Sequence, residues 1–193
     1  MTMMVRLMSV LPFATGSVCL LLVLVSMFGF TSGTIEDEIP AIPCIGMDVE
    51  DCATGMSEAD LDVPTAFFLL SVDLEISTAL EDDAWIGVVD AEWAETCPPD
   101  ETGLTECTAG EYTFLSGGPG IDGPVKHTLD PGSVRFVTGG DEGAATLQDN
   151  IVTTHYSVHL AGWFSVILAL AGFGLCASGL HMAFPMVGKA RKE

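Results

Sequence analysis

Two long apolar stretches lie near the two ends of the chain, within residues 9–30 and residues 160–182. The first contains the run Val18–Val25, and the second carries Trp163 near its start. A helix needs about 20 apolar residues to cross a bilayer, and its backbone must be helical because lipid offers no hydrogen bonds. The pattern therefore predicts two transmembrane helices, over residues 9–30 and 160–182.

The stretch between these helices has a different pattern. Residues 31–64 are acidic and irregular, with several Pro and Gly and no sustained period. From Thr65 onward apolar and polar residues alternate, as over Phe68–Ile76, and a period of two is typical of half-buried strands. Further strand candidates lie at residues 85–93, 112–114, 125–129, 134–137 and 152–160. We therefore expect a membrane-anchored all-β protein, with an antiparallel β-sandwich of jelly-roll or immunoglobulin-like type over residues 65–159 between two transmembrane helices.

Charge is distributed as unevenly as apolar residues. Residues 35–158 hold 26 acidic residues and only two basic ones, Lys126 and Arg135. The remaining bases lie beyond the apolar stretches, at Arg6, Lys189, Arg191 and Lys192. Basic residues flank the cytoplasmic ends of membrane helices. We therefore expect a two-pass protein of the cell membrane, with residues 1–8 and the basic tail 183–193 in the cytoplasm and residues 35–158 outside it.

A cleaved signal peptide is the alternative interpretation of the first apolar stretch. A short basic segment precedes the stretch and small residues, Thr31–Gly33, follow it. Those residues match an A-x-A cleavage site poorly, and the apolar run is long for a signal peptide. We therefore favour a retained helix that acts as an uncleaved signal anchor.

The overall composition excludes two classes of protein. The 193 residues include 27 acidic and 6 basic ones, a net charge of −21, and yet the mean hydropathy is +0.46. A wholly disordered acidic chain would contain few apolar residues. A nucleic-acid-binding protein would need a basic patch to neutralise phosphates, and the sequence between the helices contains none.

The six cysteines divide between the apolar stretches and the region between them. Cys19 and Cys176 lie within the predicted helices, where a thiol behaves as a small apolar side chain. The other four lie where disulfides persist: Cys44, Cys52, Cys97 and Cys107. Of their three pairings we expect the local one, Cys44 with Cys52 and Cys97 with Cys107, because each bond would close a short loop that sheet packing alone would not order. Their spacing does not match the close pairs of a four-cysteine zinc site.

Acidic clusters are the candidates for a cation site. Hard cations such as Ca²⁺ bind oxygen ligands that converge from a loop, and Glu81, Asp82 and Asp83 form such a run. No EF-hand pattern is present in the sequence, so a solvated acidic surface is the preferred interpretation, and no other cofactor is predicted. His155 and His159 would lie about 13 Å apart on a strand at ~3.3 Å per residue, too far apart to share one ion.

Small residues recur along the second predicted helix, at Ala161, Ser165, Ala169 and Gly172. Small side chains let helices approach closely. Either this stripe packs on the first helix, where Gly16 and Gly29 are available, or it mediates self-association or binding to another membrane protein. The expected partners are therefore the lipid bilayer and a membrane protein.

The turn and strand over Leu129–Phe136, followed by a final strand and an apolar helix, resemble the lumenal β-sandwiches of GOLD-type domains. The similarity is confined to this short stretch and lacks the coiled-coil segment before the membrane helix. It implies a sandwich outside the cytoplasm and carries over no function.

The sequence shows no nucleophile beside a base and no phosphate-binding loop, so we do not expect an enzyme. The leading interpretation is a membrane protein that presents an acidic β-domain for interaction or assembly with another membrane or surface protein. The alternatives are a ligand- or Ca²⁺-binding sensor and an accessory subunit of a membrane redox or transport complex.

Overall fold

The computed structural model describes residues 2–46, 48–80, 83–121, 123–141 and 148–183. The chain forms two compact units. The β unit is Thr31–Val158, and the helical unit is built from the segments before and after it.

Short strands and turns make up the β unit in the described residues. Its strands are β1 (Thr31–Ala41), β2 (Ala53–Met56), β3 (Leu61–Val63), β4 (Leu70–Thr78), β5 (Ala84–Asp90), β6 (Leu104–Thr108), β7 (Ser116–Gly117), β8 (Val125–Leu129), β9 (Gly132–Gly140) and β10 (Gln148–Leu160). The last residues of β10 continue into the helical unit. Single-turn helices lie at Val49–Asp51, Thr65–Phe67, Ala109–Glu111 and, as α2, Trp93–Thr96.

The strands form two sheets. The first has the order β1-β10-β4-β8, and the second has the order β6-β2-β9-β5-β7 with β3 also paired to β9. β1 is antiparallel to β10, from Thr31 opposite Val158 to Ala41 opposite Gln148. The β4–β8 pair and the pairs of the second sheet are antiparallel as well. The structure therefore confirms the prediction of two antiparallel sheets arranged as a sandwich.

The sandwich begins earlier in the chain than the sequence pattern indicates. Residues 31–64, expected to be irregular, contain β1, β2 and β3. β1 lies at the edge of its sheet, and Ile39 and Ala41 are its only buried residues. The other positions of this strand therefore do not need apolar side chains. Residues 112–114, expected as a strand, follow a single helical turn instead. The side chains of Tyr112 and Phe114 pack in a hydrophobic cluster, and neither residue belongs to a β-strand.

The inner faces of the two sheets enclose the main hydrophobic core. Its buried side chains are Ile39, Leu74, Ile76, Ile86, Val88, Val125, Leu129, Val134, Phe136 and Val152. Full burial of a side chain such as Ile76 stabilises the fold by roughly 1.5–3 kcal/mol. The alternation seen in β4 follows from this arrangement, since only one face of the first sheet contacts the core.

A second core covers the outer face of the second sheet. Trp85, Val89 and Val137 project into it, together with Tyr112 and other side chains of the segment that follows β5. Trp85 packs edge-on against Phe114, with the ring centroids 5.6 Å apart. The second sheet is thus covered on both faces at β5. This explains why the first six residues of β5 are all buried and read as a continuous apolar run.

The helical unit contains α1 (Thr2–Ser26) and α3 (Gly162–Ala183). Within the described residues, Gly162–Met182 is long and apolar enough to cross a membrane, and the apolar part of α1, Val10–Ser26, is shorter. α1 ends four residues before the predicted boundary. Gly29, with a φ of 85°, adopts the left-handed conformation that commonly terminates helices.

Arg135 is the better anchored of the two basic residues in the β unit. Its Nε donates to the Asp60 carboxylate and its Nη1 donates to the Ser57 carbonyl oxygen at 3.1 Å. The Arg135 side chain is 13% exposed, whereas the Lys126 side chain is 77% exposed and lies 3.8 Å from Glu75.

We predict that Arg135→Ala lowers the free energy of unfolding by about 1–3 kcal/mol, because the Ser57 carbonyl and the Asp60 carboxylate lose their charged donor. Lys126→Ala, the matched control, should change the free energy of unfolding by less than about 0.5 kcal/mol, as expected for an exposed ion pair. Urea unfolding of the purified protein, followed by tryptophan fluorescence, measures both values. Equal effects would contradict the structural role of Arg135.

Candidate functional site

The four cysteines of the β unit form two local disulfides. Cys44 is joined to Cys52 and Cys97 to Cys107, with Cα–Cα distances of 5.6 and 5.7 Å. This is the local pairing expected from the sequence. The first bond closes the loop between β1 and β2, and the second closes the segment over the second core.

The acidic run considered for Ca²⁺ is only partly described. Glu81 and Asp82 lie outside the described residues, and Asp83 is exposed in the turn before β5. In the part of the chain that the structure covers, no group of three or more His, Cys, Asp or Glu side chains is placed to hold a metal ion. His155 and His159 both lie on β10, as the strand interpretation requires.

Of the small residues predicted to lie on one face of the second helix, Gly172 lies against α1. Ala161 and Gly172 are buried, and Ser165 and Ala169 are partly buried. A Cβ atom at Gly172 would lie 3.1 Å from the Gly16 carbonyl oxygen, and one at Gly16 would lie 2.6 Å from the Gly172 carbonyl oxygen. The two backbones therefore approach closely where both residues lack a side chain.

Ser26 links the end of α1 to the residues before α3. Its carbonyl oxygen lies 2.8 Å from His159 Nδ1, and its hydroxyl oxygen accepts a 2.7 Å hydrogen bond from the Leu160 N–H. A carbonyl oxygen only accepts hydrogen bonds, so His159 Nδ1 is the donor and carries a proton. These bonds hold the two helices together at one end of the pair.

The opposite faces of both helices are apolar and exposed. On α1 the exposed large side chains are Val10, Leu11, Phe13, Val18, Leu21, Leu22, Leu24 and Val25. On α3 they are Trp163, Val166, Ile167, Leu170, Phe173, Leu180 and Met182. Apolar surfaces of this extent mark sites that contact a membrane or another protein.

A polar groove of about 620 Å³ lies across the outer face of the first sheet. Between β1 and β10, Thr34 is opposite His155 and Ser32 is opposite Ser157. Between β4 and β8, Glu75 is opposite Lys126 and Asp73 is opposite Thr128. β10 and β4 are neighbours in the sheet, so the four strands present these eight side chains side by side.

Hydrogen bonds order several side chains of this polar groove. The Thr34 hydroxyl lies 3.0 Å from His155 Nδ1, and the Thr128 hydroxyl donates to Asp73 Oδ1 at 2.7 Å. The polar groove therefore combines ordered hydrogen-bond donors and acceptors with positively and negatively charged side chains.

An apolar groove of about 220 Å³ opens at the margin of the main core. Its apolar lining includes Ile35, Leu61, Val63, Phe67, Val72, Leu129 and Tyr156. Ile35 and Phe67 are 44% and 42% exposed, and the adjacent Phe68 is 57% exposed. Exposed apolar grooves of this kind mark surfaces that bind apolar groups.

An acidic cleft of about 360 Å³ lies beside β1, with the carboxylates of Asp37, Glu38, Glu58 and Glu101 in its lining. Burial raises the pKa of the Asp37 carboxyl, and the nearby Glu58 charge raises it further, whereas a hydrogen bond from the Glu38 N–H lowers it. The ionised form of Asp37 is therefore disfavoured in the folded protein.

Sequence reasoning found only part of the polar groove, because the segment that contributes Ser32 and Thr34 was expected to be irregular. The alternation places Asp73 and Glu75 on one polar face and His155 and Ser157 on another. Only the adjacency of β4 and β10 brings these faces together. The apolar groove was missed because its lining comes from strands that are distant in sequence.

No protein-family model matches this chain, and no curated protein is significantly similar to it.

We predict that Asp37→Asn raises the free energy of unfolding at neutral pH, because the amide removes a disfavoured charge. A carboxyl whose pKa is raised on folding binds more protons in the folded state, so wild-type stability increases as the pH falls through that raised pKa. The variant should lose this part of the pH dependence. Denaturant unfolding at a series of pH values measures it, with Glu101→Gln as the control in the same cleft. A variant with the wild-type pH dependence would contradict the prediction.

We predict that Gly172→Leu separates α1 from α3, because its side chain would meet the Gly16 backbone. Gly174→Leu is the matched control, since a Cβ atom there meets nothing within 4 Å. Ser17→Cys supplies the reporter, because Ser17 Oγ lies 3.9 Å from the Cys176 sulfur.

In the Ser17→Cys background, mild oxidation should link this position to Cys176. Gly172→Leu should reduce the yield of that bond severalfold, and Gly174→Leu should leave it unchanged. Non-reducing peptide mapping by mass spectrometry measures the yield. Equal yields in both variants would show that the small-residue face does not hold the helices together.

Proposed function

We propose that this chain is a two-pass protein of the cell membrane that presents the β unit outside the cytoplasm and docks it on a neighbouring membrane or surface protein. The apolar groove lined by Ile35, Phe67 and Tyr156 is the docking site, and both termini lie in the cytoplasm. The observation that carries the docking proposal is an exposed apolar groove on an otherwise strongly acidic unit.

The exposed apolar faces of both helices support membrane insertion. α3 meets the length requirement by itself. α1 has 25 residues, which is about 37 Å at ~1.5 Å per residue and exceeds the ~30 Å hydrocarbon core. Its charged residue, Arg6, lies near the N-terminal end of the helix.

The distribution of charge and of disulfides supports the proposed sidedness. The bases beyond the helices favour cytoplasmic termini. The two disulfides favour an oxidising compartment for the β unit, since disulfides are rare in the cytosol.

The apolar groove supports a protein partner that supplies an apolar side chain. Interface centres are apolar and depleted in charge, with polar residues at the rim. Asp62 is the charged residue in the lining of this groove, which also includes the exposed aromatic ring of Phe67. Such rings contribute large contact areas in protein interfaces.

Cysteine labelling with a membrane-impermeant maleimide tests location and docking together. Leu115→Cys, at a site 51% exposed on the β unit, should be labelled in intact cells. Ala190→Cys in the basic tail should be labelled only after permeabilisation. Phe67→Cys should be labelled much more slowly in native membranes than in purified protein, because the partner covers it. The unsubstituted chain gives the background from Cys19 and Cys176.

Each outcome has a separate meaning. Labelling of the tail in intact cells, or failure to label Leu115→Cys, would overturn the proposed sidedness. Equal labelling rates for Phe67→Cys in membranes and in purified protein would overturn the docking site and leave the topology intact.

A further inference from the structure

The outer face of the first sheet is chemically unlike the apolar groove. The side chains that β1, β4, β8 and β10 direct to this face are hydroxyls, carboxylates, an ammonium and an imidazole. They lie on the side of the sheet opposite the main core. The polar groove is therefore a different surface from the apolar groove.

The size of the polar groove sets the size of its ligand. Its volume is about 620 Å³. Four strands about 4.8 Å apart give it a length of about 14 Å. These dimensions suit an extended ligand and exceed those of an ion or a single small headgroup.

The charges of the groove favour a neutral ligand. Asp73 and Glu75 repel anions, and Lys126 opposes a cation near Glu75. Each carboxylate also has a partner, because Thr128 donates to Asp73 and Lys126 lies beside Glu75. Hydroxyl groups satisfy such a mixed surface best, since they donate to carboxylates and accept from ammonium or imidazole groups.

Other ligand classes fit less well. A protein interface centres on aromatic or aliphatic anchors, and the side chains directed to this face include none. In the described residues no cluster is placed to bind a metal ion. Nucleic acid would be repelled by the acidic β unit.

We propose that the polar groove binds a neutral oligosaccharide. Ring hydroxyls donate to the carboxylates of Asp73 and Glu75 and accept from Lys126 and His155. Ser32 and Ser157 provide further hydroxyl contacts at the neighbouring end of β1 and β10.

The test uses the full chain in phospholipid nanodiscs, because sugar-based detergents would compete. Maltohexaose, cellohexaose and mannohexaose are the probes, each compared with its monosaccharide by isothermal titration calorimetry. At least one hexasaccharide should bind, and at least tenfold more tightly than its monosaccharide. Asp73→Asn and Glu75→Gln should each weaken binding about tenfold through loss of a charge-assisted hydrogen bond. Glu106→Gln, an exposed carboxylate on β6, is the matched control and should not weaken it.

Two results would overturn the proposal. One is the absence of binding by all three hexasaccharides at millimolar concentration to protein whose circular dichroism shows a folded β unit. The other is binding that Asp73→Asn and Glu75→Gln leave unchanged. Neither result bears on the labelling of Phe67→Cys, so the two proposals fail independently.

Discussion

The pairing of the first strand with the last is the constraint on which the β unit depends. β1 and β10 are antiparallel along the whole of Thr31–Ala41, so the two ends of the unit lie side by side. These strands are far apart in sequence, and their ladder closes a loop of more than 100 residues. Such non-local pairing forms slowly and late, because chain entropy opposes it until other contacts are in place.

The helical unit also depends on contact between segments that are far apart in the sequence. Its two segments also come from opposite ends of the chain, and they meet where Gly16 and Gly172 lack side chains. The bond from the Leu160 N–H to the Ser26 hydroxyl joins them again. Residues without a side chain at such a contact let the two helix backbones approach closely.

The two sheets of the β unit differ in what covers their outer faces. A second core with its own disulfide covers the second sheet, and β5 is therefore buried on both faces. The first sheet keeps a bare outer face, where polar side chains contact solvent. The outer face of the second sheet is thus covered and that of the first is open. The polar groove is lined by strands of the first sheet, and the apolar groove is lined by these strands together with β3 of the second sheet.

The sequence alone determined the features that depend on local pattern. The apolar stretches, the alternation in β4 and β10 and the local disulfides are readable because helix and strand periods and short loops involve nearby residues. Tertiary structure decided what depends on distant pairing. The acidic segment before residue 65 became strands because β10 pairs with β1 and β9 pairs with β2 and β3. Asp73 and His155 line the same groove because β4 lies beside β10, and no local rule encodes which strands become neighbours.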